Sequence, residues 1–233
     1  MDHDADSLRA RAEAPASTEA LHRELTTHLD PDAADWLATQ LSDRALLADR
    51  ARLRVAFARA GRKLGRAGER TLPRGPYDAP WSVLDLARAL LLRAALEATP
   101  ASEHAALASD LYRTGALREQ QSILRALPLL PEPARFTTLA VEACRTNSPD
   151  VFAAIAHDNP FPAAHFPELS FNQLVLKAIF LGLPVQPIRA LARRVTPELR
   201  RMVSEFASER RAAGRTVPLD VAHVLALSEP DLP

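Results

Sequence analysis

Apolar residues recur along the chain at intervals of three and four, and no stretch sustains the alternation of a half-buried strand. With only seven glycines in 233 residues, the pattern predicts an all-α protein. A first helix follows Ser17 in "STEALHRELTTHL". Asp30 and Pro31 then restart the chain, the aspartate as cap and the proline at the first helical position of "PDAADWLATQLSD". Residues 43–64 predict one long arginine-studded helix, and "GRAGERTLPRGPYDAP" (65–80) predicts a loop. In "SVLDLARALLLRAALEA" Ser82 and Asp85 carry the spacing of an N-cap and its third helical residue. Apolar residues wrap around most of that helix, which is expected to be central.

Beyond Thr99 the pattern breaks into shorter helices separated by Pro, Gly and Asn, expected over 101–113, 115–127, 133–146, 149–157, 169–182, 185–194, 197–212 and 218–227. Two of these stretches resemble each other. "LYRTGALREQQSILRALPLLP" and "EACRTNSPDVFAAIAHDNPFP" both read helix, stop, helix, proline-bounded turn. Their Arg113 and Arg145 lie 32 positions apart, close to the period of two-helix repeats. The expected architecture is a stack of antiparallel helix hairpins, solenoid-like in the manner of tetratricopeptide or HEAT arrays, in a single domain with an N-terminal helical region. The expected layout is a disordered tail over 1–15, an N-terminal helical region over 16–64, a linker over 65–80, a hairpin core over 81–227 and a tail over 228–233.

Charge narrows the classes of function. Lys and Arg total 29 and Asp and Glu total 29, so no net basic excess draws the chain to nucleic acid or anionic membranes. Nine basic residues cluster between Arg50 and Arg74, but Phe57 is the one aromatic among them before Tyr77, where RNA or single-strand recognition needs stacking platforms. A solvated helix face is the expectation, and no nucleic-acid partner. The single cysteine, Cys144, permits no internal disulfide. The acidic start "MDHDADSLRA" is not that of a signal peptide. The two most apolar runs, Leu84–Leu96 and Leu174–Val185, are interrupted by charge and fall short of the ~20 residues of a spanning helix. A cytoplasmic, non-spanning protein is expected. There is no paired-cysteine or H-E-x-x-H spacing, no Gly-rich phosphate loop and no G-x-S-x-G elbow, so neither metal nor cofactor is expected.

Composition singles out one region. Arg, Ala, Leu and Pro dominate, as under coding biased toward G and C, which makes Phe, Tyr, Met, Ile, Asn and Lys the unexpected residues. Twelve of these fall between Asn147 and Ile188 and nine in all the rest. Core packing accounts for Phe and Ile, but not for three asparagines and a lysine. Within "LSFNQLVLKAIFLGLPV" (169–185), Ser170 and Gln173 have the spacing of a capping box. Gln173, Lys177 and the edge at Phe180 and Leu181 share one side of the helix, while Asn172 lies on another side, over Leu176 and Ile179. Lys177, one of two lysines in the chain, is expected to snorkel or to pair with a carboxylate such as Asp158, Glu168 or Glu205. It could otherwise meet an anionic ligand or act as a nucleophile. In "AHDNPFPAAHF" (156–166), His157, Asp158 and Asn159 occupy a proline-bounded loop. That is ordinary turn chemistry, and also a place where binding residues sit.

The stretch "HDNPFPAAHFPELSFNQLVLKAIFLGLPVQPIRAL" resembles the hallmark of the EboA family, an Asn-Pro-aromatic-Pro turn followed by Phe-Asn-Gln and Val-Leu-Lys-Ala. Trp36, "GRKLGRAGER", "WSVLDLARALLL" and "PELRRMVSEFASERRAAGR" resemble its flanking pieces in the same order. The resemblance implies a metabolite-traffic protein. It also implies partners from a gene neighbourhood with a UbiA-type prenyltransferase, a TatD-like hydrolase and sugar-phosphate-type enzymes, and no established catalytic residue.

The expected function is that of a cytoplasmic accessory or adaptor that helps move a secondary-metabolite precursor, prenylated ones included. It would act by binding proteins of the same gene cluster or a small anionic metabolite. Its binding residues are expected among His157, Asp158, Asn159, Asn172, Gln173 and Lys177. The rival expectation is an enzyme acting on an isoprenoid or phosphorylated precursor through Lys177, His157 and Asp158. Convergence of those three side chains in one pocket would favour the enzyme.

Overall fold

A computed structural model of the chain describes residues 18–227; the tails expected over 1–15 and 228–233 lie outside the described residues. The protein is all-α, with one small two-stranded ribbon among the described residues. The chain divides into two compact units, the first ending at Arg135 and the second beginning at Phe136.

The first unit opens with α1 (Thr18–Thr26), α2 (Pro31–Ser42), α3 (Arg44–Ala48) and α4 (Arg50–Gly68). Asp30 caps α2 as expected, its Oδ1 accepting the Ala33 N–H at 2.8 Å, with Pro31 at the first position. The helix expected over 43–64 is two helices. Asp49 accepts the N–H groups of Ala51 and Arg52 and starts a new cap there, which holds its carboxyl below the usual range. Most of the arginines that follow lie on the exposed face of α4, where Arg50 pairs with Glu103 and Arg52 with Asp43.

The segment expected to be a loop holds the ribbon, β1 (Thr71–Gly75) and β2 (Ala79–Ser82), antiparallel with Leu72 opposite Trp81. Tyr77 and Asp78 take left-handed backbone conformations at its turn. Trp81 is buried, and its Nε1 donates to the Pro76 carbonyl at 3.2 Å. Its ring lies so near the opposite strand that a Cβ on Gly75 would come within 2.7 Å of it. The ribbon leads into α5 (Val83–Glu97), capped by the Ser82 hydroxyl on the Asp85 N–H.

Helix α5 is the centre of this unit, as its wide apolar face predicts. Eleven of its fifteen residues are buried, and it packs against α1 to α4 and against α6 (His104–Thr114) and α7 (Leu117–Ala126). It also carries the buried Asp85 and Arg88. Arg88 donates to the carbonyls of Phe57 and Arg118 and to the Ser122 hydroxyl, and that hydroxyl donates to Asp85 at 2.6 Å. The cluster is satisfied within itself, which is what makes its burial tolerable.

The second unit consists of α8 (Thr137–Ala143), α9 (Pro149–Ala156), α10 (Phe161–His165), α11 (Glu168–Leu181), α12 (Leu191–Arg194), α13 (Pro197–Ala212) and α14 (Leu219–Ala226). Helix α9 packs on α8, α10 and α11, and α13 packs on α11 and α14. The helix expected over 185–194 shrinks to its last four residues, because Pro187 falls within it and Ala190 is left-handed. The helix pairs of the two similar stretches both form, α6 with α7 in the first unit and α8 with α9 in the second.

Gly75→Ala is expected to destabilise the protein by about 1–3 kcal/mol, the cost of overpacking against a buried ring. Denaturant unfolding followed by tryptophan fluorescence measures it, and an unchanged midpoint would mean that the ribbon yields freely.

Candidate functional site

Helix α11 runs through the segment that composition singled out. Its start differs from expectation: Pro167 is the N-cap residue and makes no side-chain cap, so Ser170 and Gln173 lie inside the helix and form no capping box. A proline already supplies the turn into the helix and leaves no N–H of its own to satisfy. The helix ends where Gly182 turns left-handed, its N–H bonding back to Ala178 and Ile179.

Lys177, half-buried in the middle of α11, is paired, but with no carboxylate. Its Nζ donates to the backbone carbonyls of Cys144 at 2.5 Å and Thr146 at 2.7 Å, and lies 5.4 Å from the centre of the Phe152 ring. Cys144 closes α8, so these are carbonyls that the helix cannot satisfy itself, at its negative end. The same turn passes into α9, where the Ser148 N–H bonds Thr146 Oγ1 and the Ser148 hydroxyl caps Val151. Lys177 therefore fixes the connection between two helices. Burial pushes the thiol of Cys144 beside it up to about 12, against the opposing pull of Lys177.

In the loop expected to carry binding residues, the Asn159 side chain and the Asp158 backbone are engaged in the fold. Asn159, 5% exposed, donates from Nδ2 to the Ala154 carbonyl at the end of α9 and accepts the Phe161 N–H at 3.0 Å. That bond shapes the turn into α10, a short helix that the sequence pattern left inside a loop. Asp158 is left-handed and donates its N–H to the Pro187 carbonyl at 2.8 Å. His157 is the C-cap residue of α9. His165 packs its ring 4.7 Å from that of Phe161, and burial lowers its pKa.

Two cavities adjoin Lys177. The larger is an open groove of about 640 Å³ between α11 and α13, with Leu176, Phe180, Met202 and Phe206 as its apolar lining. Phe180 is 69% exposed. Gln173 and Lys177 border the groove on α11, and Arg201, Glu205 and Glu209 on α13. Arg201 is held in a fork, bidentate to Glu198 and 2.5 Å from Glu205, and its bonds to Glu198 and then to Glu205 raise its pKa. The smaller cavity, about 190 Å³, is a crevice bordered by Cys144, Arg145, Phe166, Ser170, Gln173 and Lys177 among others.

Of the expected site residues, the structure brings Gln173 and Lys177 together, on the shared wall of both cavities. His157, Asp158, Asn159 and Asn172 border neither one. The wall on α13 was missed by sequence reasoning, although Met202 and Phe206 stand four apart on one helical face, and so do Arg201 and Glu205. No group of three or more His, Cys, Asp or Glu among the described residues is placed to hold a metal ion. No described helix is long and apolar enough to cross a membrane.

Asn172 is fully buried, and neither its Oδ1 nor its Nδ2 has a hydrogen-bond partner. Such an amide costs stability, whereas an apolar residue of similar shape costs none. Asn172→Leu is therefore expected to raise the melting temperature in a thermal unfolding scan, and a clear drop would mean that the amide is satisfied in solution. Lys177→Met is expected to act in the opposite sense. It strips two carbonyls of a charged donor and should cost about 2–3 kcal/mol, read as a lower denaturant midpoint. If the midpoint holds, the lysine does not fasten the α8–α9 turn.

The family model described as metabolite traffic protein EboA matches residues 17–226. No curated protein and no solved structure matches the chain. The match spans both compact units, and with them the turn that Lys177 fastens and the groove beside it; the chain belongs to the EboA family.

Proposed function

We propose that this protein is a cytoplasmic accessory factor in metabolite traffic, and that the groove between α11 and α13 is its working surface. It helps to move or export a secondary-metabolite precursor, prenylated ones included, by binding that precursor or the enzymes that make it. The prenyltransferase, the TatD-like hydrolase and the sugar-phosphate-type enzymes of the gene neighbourhood are the partners in this reading. The observation that carries it is Phe180. A phenylalanine 69% exposed beside Leu176, Met202 and Phe206 is an apolar surface that stability does not require.

The groove has the size of a ligand or short-segment site, and its rim carries the Arg201 fork on one side and Gln173 and the anchored Lys177 ammonium on the other. A binding role fits these groups better than chemistry does. The Lys177 ammonium is engaged by two carbonyls, and neither His157 nor Asp158 borders a cavity that it borders.

Phe180→Asp tests the reading in the native host. The side chain is exposed, so protein level and melting temperature should stay near wild type, while the exported product falls and its precursor accumulates inside the cells. Unchanged partition between cells and medium would remove the groove from the function.

A further inference from the structure

The groove and the crevice share Gln173 and Lys177 as lining, and their chemistries differ. The groove has an apolar lining, and its rim on α13 carries the Arg201–Glu205 ion pair and Glu209. The crevice is bordered by an arginine, a lysine, a hydroxyl and a carboxamide, from Arg145, Lys177, Ser170 and Gln173, and by no carboxylate. The side chains of Arg145, Ser170 and Gln173 have no hydrogen-bond or ion-pair partner among the described residues. Arg145 is exposed and keeps its guanidinium free, unlike two other arginines of its unit that border or approach this region. Arg194 is bonded to the carbonyls of Ala163 and Phe166, and Arg201 to Glu198 and Glu205.

We propose that the two cavities form one site for a single-headed amphiphile, with its anionic, phosphate-like head in the crevice and its apolar tail along the groove. The proposal rests on the groove being the working surface and specifies what that surface takes. Arg145 supplies the forked donors that suit an oxyanion, and Ser170 and Gln173 add neutral donors. Lys177 adds a positive charge held in place, because the carbonyls of Cys144 and Thr146 fix its Nζ. The Cys144 thiol is neutral and does not oppose an anion.

Charge complementarity also selects the source of the ligand. A crevice of about 190 Å³ admits one compact head group. An anionic bilayer laid over the groove would meet the exposed Glu209, which no cation pairs among the described residues, whereas Glu205 is already paired with Arg201 and a lone tail carries no second charge. The ligand is therefore a free amphiphile rather than a membrane surface.

Calorimetric titration of the full chain with dodecyl phosphate, below its micelle concentration, tests this. One saturable site is expected, with dodecyltrimethylammonium at least about tenfold weaker, the cost of losing charge-assisted hydrogen bonds. R145Q should weaken dodecyl phosphate about tenfold and leave the melting temperature in place. F180S should weaken both amphiphiles. Inorganic phosphate should compete only at much higher concentration. Equal binding of the two amphiphiles, or an unaffected R145Q, overturns the anionic head while leaving the groove a binding surface. Binding to phosphatidic acid vesicles with none to the monomer overturns the free ligand in favour of a membrane. If neither amphiphile binds and Phe180→Asp still blocks traffic, the amphiphile is overturned and the groove takes a protein.

Discussion

The structure depends on closing the ends of many short helices. Each α-helix leaves its last four carbonyls without partners of its own, and a chain cut into helices of five to nineteen residues, with one of four, multiplies those ends. Long cationic side chains reach several of them. Lys177 takes the carbonyls that end α8, Arg194 those of Ala163 and Phe166 around α10, and Arg200 those of Leu225 and Leu227 at the end of α14. In the first unit, Arg93 reaches the Leu129 carbonyl in the 3₁₀ turn that follows α7. A cation here does what a C-terminal glycine does for α11 at Gly182, but from another element, and so it fastens two elements at once.

Two of these cations, and the buried Arg88 of the first unit, share a further arrangement. Arg88 lies 5.4 Å from the centre of the Phe57 ring, Lys177 5.4 Å from that of Phe152, and Arg194 4.5 Å from that of Phe171. Carbonyl oxygens on one side and the negative face of a ring on another replace water around the charge. Replacement is incomplete for the arginines, since burial lowers the pKa of both Arg88 and Arg194. The arrangement explains how phenylalanine and buried cations come to share the same stretches of an aromatic-poor chain. It also accounts for much of the unexpected composition between Asn147 and Ile188. Phe152, Phe161, Phe166 and Phe171 build the interior that the cations cross, Asn159 shapes the turn into α10, and Lys177 fastens the turn before α9.

The helical content, the central place of α5, the caps at Asp30 and Ser82 and the shared side of Gln173, Lys177 and Phe180 were legible in the sequence. Each follows from a local rule, periodicity or capping chemistry, that needs no knowledge of the neighbours. Features set by distant neighbours were not legible. The ribbon at 71–82 carries no alternating run and depends on Trp81 packing over Gly75. The break at Asp49 is local capping too, but it lies inside an otherwise unbroken helical pattern, where the aspartate reads as one more surface charge until its carboxylate turns back on the next N–H groups. For Lys177 the spacing located the face but not the partner, because carboxylates can be read from a sequence and orphan carbonyls cannot. The α13 wall of the groove was illegible for the same reason, since Met202 and Phe206 look like any other core pair until α11 leaves them uncovered.

Why a lysine stands at 177, in a chain that uses arginine almost everywhere else, follows from the geometry. The Cys144 and Thr146 carbonyls belong to residues two apart in one tight turn and converge on a single point, 2.5 and 2.7 Å from Nζ. A compact ammonium with three donors satisfies converging acceptors, whereas a guanidinium presents its N–H groups in a spread, planar fork. Arg194 meets the opposite case. Its two terminal nitrogens go to separate carbonyls, of Ala163 and Phe166, and its plane can lie over the Phe171 ring. The charge is needed at 177 to close α8, and the point geometry of the turn makes it a lysine. Because that ammonium also borders the groove and the crevice, a side chain required by the fold is held ready, in one position, at the mouth of both cavities.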